Sequence, residues 1–211
     1  MAILEEISTL MQQGRAPKVK ELVAQAIDEG IGPKQILEEG LLSAMDIVGE
    51  KFKNNEVFVP EVLIAARAMN AGVEVLKPYL VSEGVESKGT VVIGTVRGDL
   101  HDIGKNLVKM MMEGKGLNVV DLGVDVSPER FIQAAQENHA QIIACSALLT
   151  TTMGEMKNVV DTLQEKGLRD KFKVMIGGAP VTQAFCDQIG ADSYTEDAAS
   201  AADAALAYCV A

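Results

Sequence analysis

The hydrophobic period of this chain changes once, at "VSEGVESKG", residues 81 to 89, and that change limits the folds open to it. Ahead of it, apolar residues recur at helical spacing. In "PKQILEEGLLSAMDIVGEKFKN" they stand at Leu37, Leu41, Met45, Val48 and Phe52, steps of four, four, three and four that draw one stripe along a helix. "PEVLIAARAMNAGVEVLKPYL" repeats the stripe at Val62, Ala66, Met69, Val73 and Leu76. Pro60 stands at that helix's entrance, where its missing N–H is tolerated. Residues 3–13 and 16–29, set off by Gly14 and by "GIGP" at 30–33, complete a four-helix bundle over residues 1–82.

Past the break, short β-branched runs alternate with helical stretches. The runs are "TVVIGTV" (90–96), "NVVDLG" (118–123), "QIIACSA" (141–147) and "FKVMIGGA" (172–179). Between them lie segments such as "DIGKNLVKMMMEGKG" and "SPERFIQAAQENH", and a short fifth strand is expected near Ser193–Thr195, before a helix through "AASAADAALAYC". Strands separated by helices predict a parallel sheet covered on both faces. The expected fold class is therefore α plus α/β. A helical cap (1–82) and a polar, glycine-containing linker (83–89) precede a doubly wound, flavodoxin-like domain (90–211) with strand order 2-1-3-4-5.

Hydrophobic residues make up 48 % of the chain and charged residues 23 %, enough for packed cores. The net charge of −11 argues against nucleic acid as a partner, because phosphate neutralisation needs clustered Lys and Arg. Cys145, Cys186 and Cys209 show neither CxxC nor zinc spacing and read as reduced thiols. "MAILEEISTLMQQGR" lacks the apolar core of a signal peptide, and no segment approaches the ~20 apolar residues of a membrane span. A cytoplasmic location without a membrane partner is expected.

In a doubly wound sheet, ligands bind beyond the carboxyl ends of the strands, where the strand order reverses. Here that point lies between strands one and three. His101, in "GTVRGDLHDIGKNL", follows strand one, and Ser146 ends strand three. Asp99, two residues upstream, is placed to reach the imidazole. A carboxylate there fixes the tautomer and makes the other ring nitrogen a better metal donor, yet the same pair suits a base and its orienter. An ordinary structural histidine also fits. A hydrolase would need a nucleophile; Ser146 and Thr150 to Thr152 are near, without a GxSxG elbow. A conventional metal site needs more ligands, and His139, in "AQENHAQ", reads as a surface residue at a helix end. One histidine suffices where a macrocycle supplies the other ligands. Gly94, Gly98, Gly104, Gly177 and Gly178 admit close backbone approach, or serve turns, but form no phosphate loop.

Taken together, the residues read Asp99-x-His101-x-x-Gly104, then 41 residues, Ser146-x-Leu148, then 28 residues and Gly177-Gly178. This resembles the signature of the cobalamin-binding domain shared by methionine synthase and the corrinoid proteins of methyltransferase systems. "MDIVGEKFKNNEVFVPEVLIAARAMNAGVEVLKP" is similar to the helical cap of the same families. The resemblance implies a cobalamin or related corrinoid, with His101 as the lower axial ligand of cobalt in place of the cofactor's own base. It implies that Asp99 holds the imidazole and Thr152 bonds Asp99. Ser146 would bond the displaced base, with Leu148 and Thr150 lining its slot. Asp102, Gly104 and the Gly177-Gly178 turn would also border the cofactor. Phe58, in "EVFVPEV", matches the aromatic over the corrin's upper face, although bundle core is an equal reading for it. Met110 to Met112 read as helix packing.

The same resemblance implies a methyl carrier cycling between Co(I) and methyl-Co(III). It would take methyl from a donor-specific methyltransferase for methylamines, betaines, methanol or aryl ethers. It would pass methyl to a second methyltransferase acting on a thiol or tetrahydrofolate, and a reductive activator would restore Co(I). A helical cap on a short linker would swing aside for these partners. Methionine synthase carries substrate modules absent here, a regulator would carry a helix-turn-helix, and the glutamate mutase small subunit lacks the cap. A cobalamin storage or sensing module is the alternative from another class.

Overall fold

Residues 2–82 form helices joined by short turns. In the computed structural model, which describes residues 2–210, α1 (Ala2–Gln12) buries Leu4, Ile7 and Met11, and α2 (Ala16–Asp28) buries Val19, Val23 and Ala26. Both sets follow the three-four spacing of one helix face. Gly14 turns the chain between them with φ of +71°, and a Cβ there would meet Ile64 at 2.8 Å, so the turn is restricted to glycine.

The third helix runs from Pro33 in three parts: α3 (Pro33–Gln35), a π-helical segment (Ile36–Leu42) and α4 (Ser43–Lys53). The wider π turn takes in an extra residue and rotates the face presented to the core. Ile36 is consequently fully buried, while Leu37, which the α-helical stripe placed inward, is half-buried. Phe52 and Val73, also on the expected stripes, are half-buried. The fourth helix, α5 (Val59–Ser82), has Pro60 in its first turn, and Glu61 accepts a hydrogen bond from the Phe58 N–H at 3.0 Å. At Gly72 a Cβ would stand 3.0 Å from Leu41 and 3.2 Å from Val19, so α5 packs tightly on its neighbours there.

The second unit takes in Lys88–Glu113 and the chain from Leu117 onward. Its strands are β1 (Thr90–Thr95), β2 (Asn118–Asp121), β3 (Ile142–Ser146), β4 (Lys173–Gly177) and β5 (Ser193–Tyr194). All pairings are parallel and the order is β2-β1-β3-β4-β5. The connecting helices are α6 (Ile103–Gly114), α7 (Pro128–Glu137), α8 (Gly154–Glu165), α9 (Gln183–Ile189) and α10 (Ala198–Val210).

Val92, Ile143 and Val174 are register partners on one face, packed with Phe131, Met156 and Val160. Val91 and Ile142 point to the other face and are equally buried, as a sheet covered on both sides requires. Gly94 leaves room for Phe131, whose ring a Cβ would meet at 2.9 Å. Met111 and Met112 are buried, consistent with helix packing. Among the described residues, no helix is long and apolar enough to cross a membrane.

Candidate functional site

Parallel register brings three strand ends level. Thr95 pairs with Ser146 and Ser146 with Gly177, so the loops after β1, β3 and β4 leave one edge of the sheet beside each other. The loop after β1 turns at once: Gly98 has φ of +80°, and the Asp99 N–H donates to the Val96 carbonyl at 3.1 Å. That turn points the Asp99 side chain inward, where it is fully buried.

Asp99 is the hub of the site. Its Oδ1 accepts from the His101 main-chain N–H at 3.1 Å and lies 2.7 Å from His101 Nδ1. Oδ2 accepts from the Leu148 N–H at 2.8 Å, the Leu149 N–H at 3.3 Å and Thr152 Oγ1 at 2.8 Å. The Thr152 hydroxyl also lies 2.9 Å from the Leu149 carbonyl, but its single proton favours the charged acceptor. Burial pushes the Asp99 pKa up; the donors from His101, Leu148 and Thr152 outweigh it and hold the carboxyl well below the usual range.

An ionised carboxylate only accepts, so Nδ1 of His101 carries the proton and Nε2 keeps its lone pair. The His101 side chain is 51 % exposed, and Nε2 is therefore a fixed donor at an accessible surface. Among the described residues no hydroxyl or thiol is hydrogen-bonded to the imidazole. The Ser146 and Thr150 hydroxyls hydrogen-bond to no protein group among the described residues, and Thr152 is committed to Asp99. Cys145 is fully buried and its thiol is pushed up to about 12. Among the described residues no group of three His, Cys, Asp or Glu side chains could hold a metal ion. A single nitrogen donor serves a metal that arrives with its own equatorial ligands.

The surroundings suit such a group. Leu100 (71 % exposed) and Ile103 (78 %) flank His101, while Leu148 and Leu149, also exposed, sit on the Asp99 carboxylate through their N–H groups. Large apolar side chains left in water beside a polar donor mark a surface shaped for an apolar partner. Gly104 and Gly177 face open space, since a Cβ at either would meet nothing within 4 Å. Gly178 is different: φ is +132° and a Cβ would lie 1.8 Å from the Ala147 carbonyl oxygen, so the loops after β3 and β4 touch main chain to main chain. One nitrogen donor, an apolar platform and a glycine-bordered edge fit a corrinoid.

Two expected residues take no part in these hydrogen bonds. Asp102 is occupied at the start of α6, where its carboxylate accepts from Asn106 Nδ2 at 3.1 Å. Phe58 belongs to the helical unit and is 62 % exposed, so it is not bundle core. His139 is exposed, just past the end of α7. Leu100, Ile103 and Leu149 were not legible in the motif; apolar residues against a loop histidine are their signal in the sequence. Nor was Lys105, a buried lysine whose Nζ reaches Asp121 Oδ1 at 2.6 Å and Asn106 Oδ1 at 2.8 Å. Burial works against ionised Asp121, but Lys105 and the Gly123 N–H hold its pKa below the ordinary value. The pair ties the first turn of α6 to the end of β2.

Comparison with known proteins bears on the same residues. A B12 binding domain family matches residues 89–205, and a second family of that description matches residues 3–77. Trimethylamine corrinoid protein 1 of Methanosarcina acetivorans is 46 % identical over 204 residues, covering 94 % of each chain. The dimethylamine corrinoid protein of Methanosarcina barkeri is 44 % identical over 200 residues, covering 94 % of this chain and 93 % of its own. Among solved structures, a chain of the methanol:cobalamin methyltransferase complex MtaBC from Methanosarcina barkeri superposes with a TM-score of 0.87 at 35 % identity. That match covers 98 % of this chain and 80 % of the other. A cobalamin-binding protein from Desulfitobacterium hafniense gives 0.80 at 30 %, covering 97 % and 98 %. With B12 binding domains matched in both halves and methylamine corrinoid proteins aligned along nearly its full length, the chain belongs to the corrinoid protein family.

Proposed function

We propose that this protein is the methyl carrier of a corrinoid-dependent methyltransferase system, with a methylamine or a quaternary amine such as a betaine as the methyl source. The observation that carries the reading is the His101–Asp99–Thr152 chain at the sheet's switch point, with no hydrogen-bond partner for Nε2 of His101 among the described residues. The amine assignment is supported by relatives named for trimethylamine and dimethylamine; methanol and aryl methyl ethers are the alternative donors. When bound, the corrinoid supplies a cobalt centre able to take up a methyl group and give it away.

The chain's own residues do the rest. His101 would offer the Nε2 lone pair to the metal, and Asp99 keeps the proton on Nδ1 so that Nε2 stays a donor. Thr152 and the Leu148 and Leu149 N–H groups hold Asp99, and through it the imidazole, in place. Leu100, Ile103, Leu148 and Leu149 would exclude water beside His101 once the corrinoid is bound. Ser146 would hold the cofactor's own base, with Leu148, Thr150, Gly104 and the Gly177–Gly178 turn bordering its slot and Asp102 at the rim. The family resemblance would give Phe58 a contact with the cofactor, and residues 1–82 would move as one body on the linker 83–89.

The partners are a donor-specific methyltransferase, a second methyltransferase delivering to a thiol or tetrahydrofolate, and a reductive activator, all in the cytoplasm. The test is reconstitution with cobalamin, reduction, and incubation with candidate methyltransferases and amine donors. Donor-dependent formation of a methylated acceptor is expected. Cobalamin binding without turnover by any partner would make the protein a storage or sensing module, and a protein that takes up no cobalamin would overturn the reading. His101→Ala should bind cobalamin more weakly and show a visible spectrum with the cofactor's own base or water below the metal. An unchanged spectrum would remove His101 from the ligand role.

A further inference from the structure

Behind the His101 loop lies a set of polar contacts that the roles above do not use. Thr95, the last residue of β1, is fully buried, and its Oγ1 donates to the main-chain carbonyl of His101 at 2.8 Å. From the other side, the loop after β2 grips the residues just before the histidine. Asp125 Oδ1 accepts from the Gly98 N–H at 2.7 Å, and the Asp125 N–H donates to the Asp99 carbonyl at 3.0 Å. Asp125 makes this two-way clamp with φ of +54°, a conformation that L residues other than Asn and Asp seldom take. Thr95 also joins the two braces, because its N–H donates to the Gly123 carbonyl and its carbonyl accepts from the Val126 N–H, each at 2.9 Å.

These bonds act on the main chain, whereas Thr152 acts on the Asp99 carboxylate. Orienting the imidazole against Asp99 does not by itself fix the His101 main chain; Thr95 fixes the His101 carbonyl and Asp125 fixes Gly98 and Asp99. A donor whose backbone is already ordered loses less freedom on binding a metal than one on a loose loop. We propose that Thr95 and Asp125 are positioning residues for His101, and that together they set how much of the bound cofactor carries histidine as its lower ligand. The proposal rests on His101 being that ligand.

The test uses full-length protein loaded with cobalamin, reduced to the paramagnetic Co(II) state, with histidine nitrogen isotopically labelled. Electron paramagnetic resonance then separates centres bearing a histidine nitrogen from those without it. Thr95→Val should lower the ratio of histidine-ligated to histidine-free centres by about tenfold, the scale on which groups behind a metal ligand act. Thr95→Ser, which keeps the hydroxyl, should hold the parent ratio.

Thr95→Val also leaves the His101 carbonyl without this partner and alters a fully buried position, so an exposed position backs it up. Asp125→Gly accepts the positive φ but loses the side-chain acceptor, and should lower the ratio with the melting temperature kept; Asp125→Asn should restore it. Parent ratios in folded Thr95→Val and Asp125→Gly overturn the proposal, as does an equal loss in Thr95→Ser. Absence of a histidine nitrogen in the parent protein instead overturns the ligand reading on which it stands.

Discussion

One buried carboxylate does most of the organising at the residue scale. Asp99 gathers three main-chain N–H groups, a hydroxyl and an imidazole, and its folded pKa lies below the unfolded value of about 3.9. In acid the unfolded chain thus binds the extra proton. The stability Asp99 contributes is complete above about pH 4 and drains away as pH falls towards the folded pKa. Denaturant titrations of the cofactor-free protein at about pH 7, 5 and 3 should show a shallower acid loss in Asp99→Asn than in the parent; equal slopes would assign the acid sensitivity to other carboxylates. At neutral pH Asp99→Asn should lose about 1–3 kcal/mol, because an amide turns donors towards donors in a buried site. Thr152→Val removes one donor of five and should cost only about 1 kcal/mol, while moving the acid transition to higher pH.

Among the elements, the loop after β4 gives the sharpest contrast. Gly177 and Gly178 are adjacent, yet a Cβ on Gly177 meets nothing within 4 Å and one on Gly178 strikes the Ala147 carbonyl oxygen. Gly178→Ala should destabilise the cofactor-free protein by more than about 2 kcal/mol, through both positive φ and main-chain overlap. Gly177→Ala should leave its melting temperature within about 2 °C of the parent while lowering cobalamin affinity, since it fills only the space in front of the sheet edge. Both are read by thermal unfolding with and without cobalamin.

The five strands and their order were legible because β-branched runs between helical stretches leave few alternatives, and the histidine, serine and glycines because their spacers are fixed. The π segment was not. An extra residue turned into a helix is selected by packing around Ile36, Gly40 and Leu41, and no residue type announces it. Leu100 and Ile103 were not legible for a related reason: periodicity says which residues are apolar, whereas their exposure is a property of the finished surface.

Across the whole molecule, the change of hydrophobic period coincides with an exposed polar stretch. Residues 82–84 and 86–88 are all exposed. Limited proteolysis should cut there first and release a fragment of residues 88 onward; initial cleavage inside α5 or β1 would contradict the two-part organisation. If residues 1–82 move as a cap, a covalent cross-link between the two parts should leave cobalamin bound and stop methyl transfer, and undiminished turnover would refute the motion.

The level strand ends of β1, β3 and β4 carry a last consequence. Thr95, Ser146 and Gly177 stand in one row, so the three loops share a common origin from which each counts its residues. Length changes in α6, α7 or α8 leave that origin where it is, whereas one residue added between Thr95 and Asp99 displaces the histidine from everything else in the row. The site tolerates drift in its surroundings and almost none in its arithmetic.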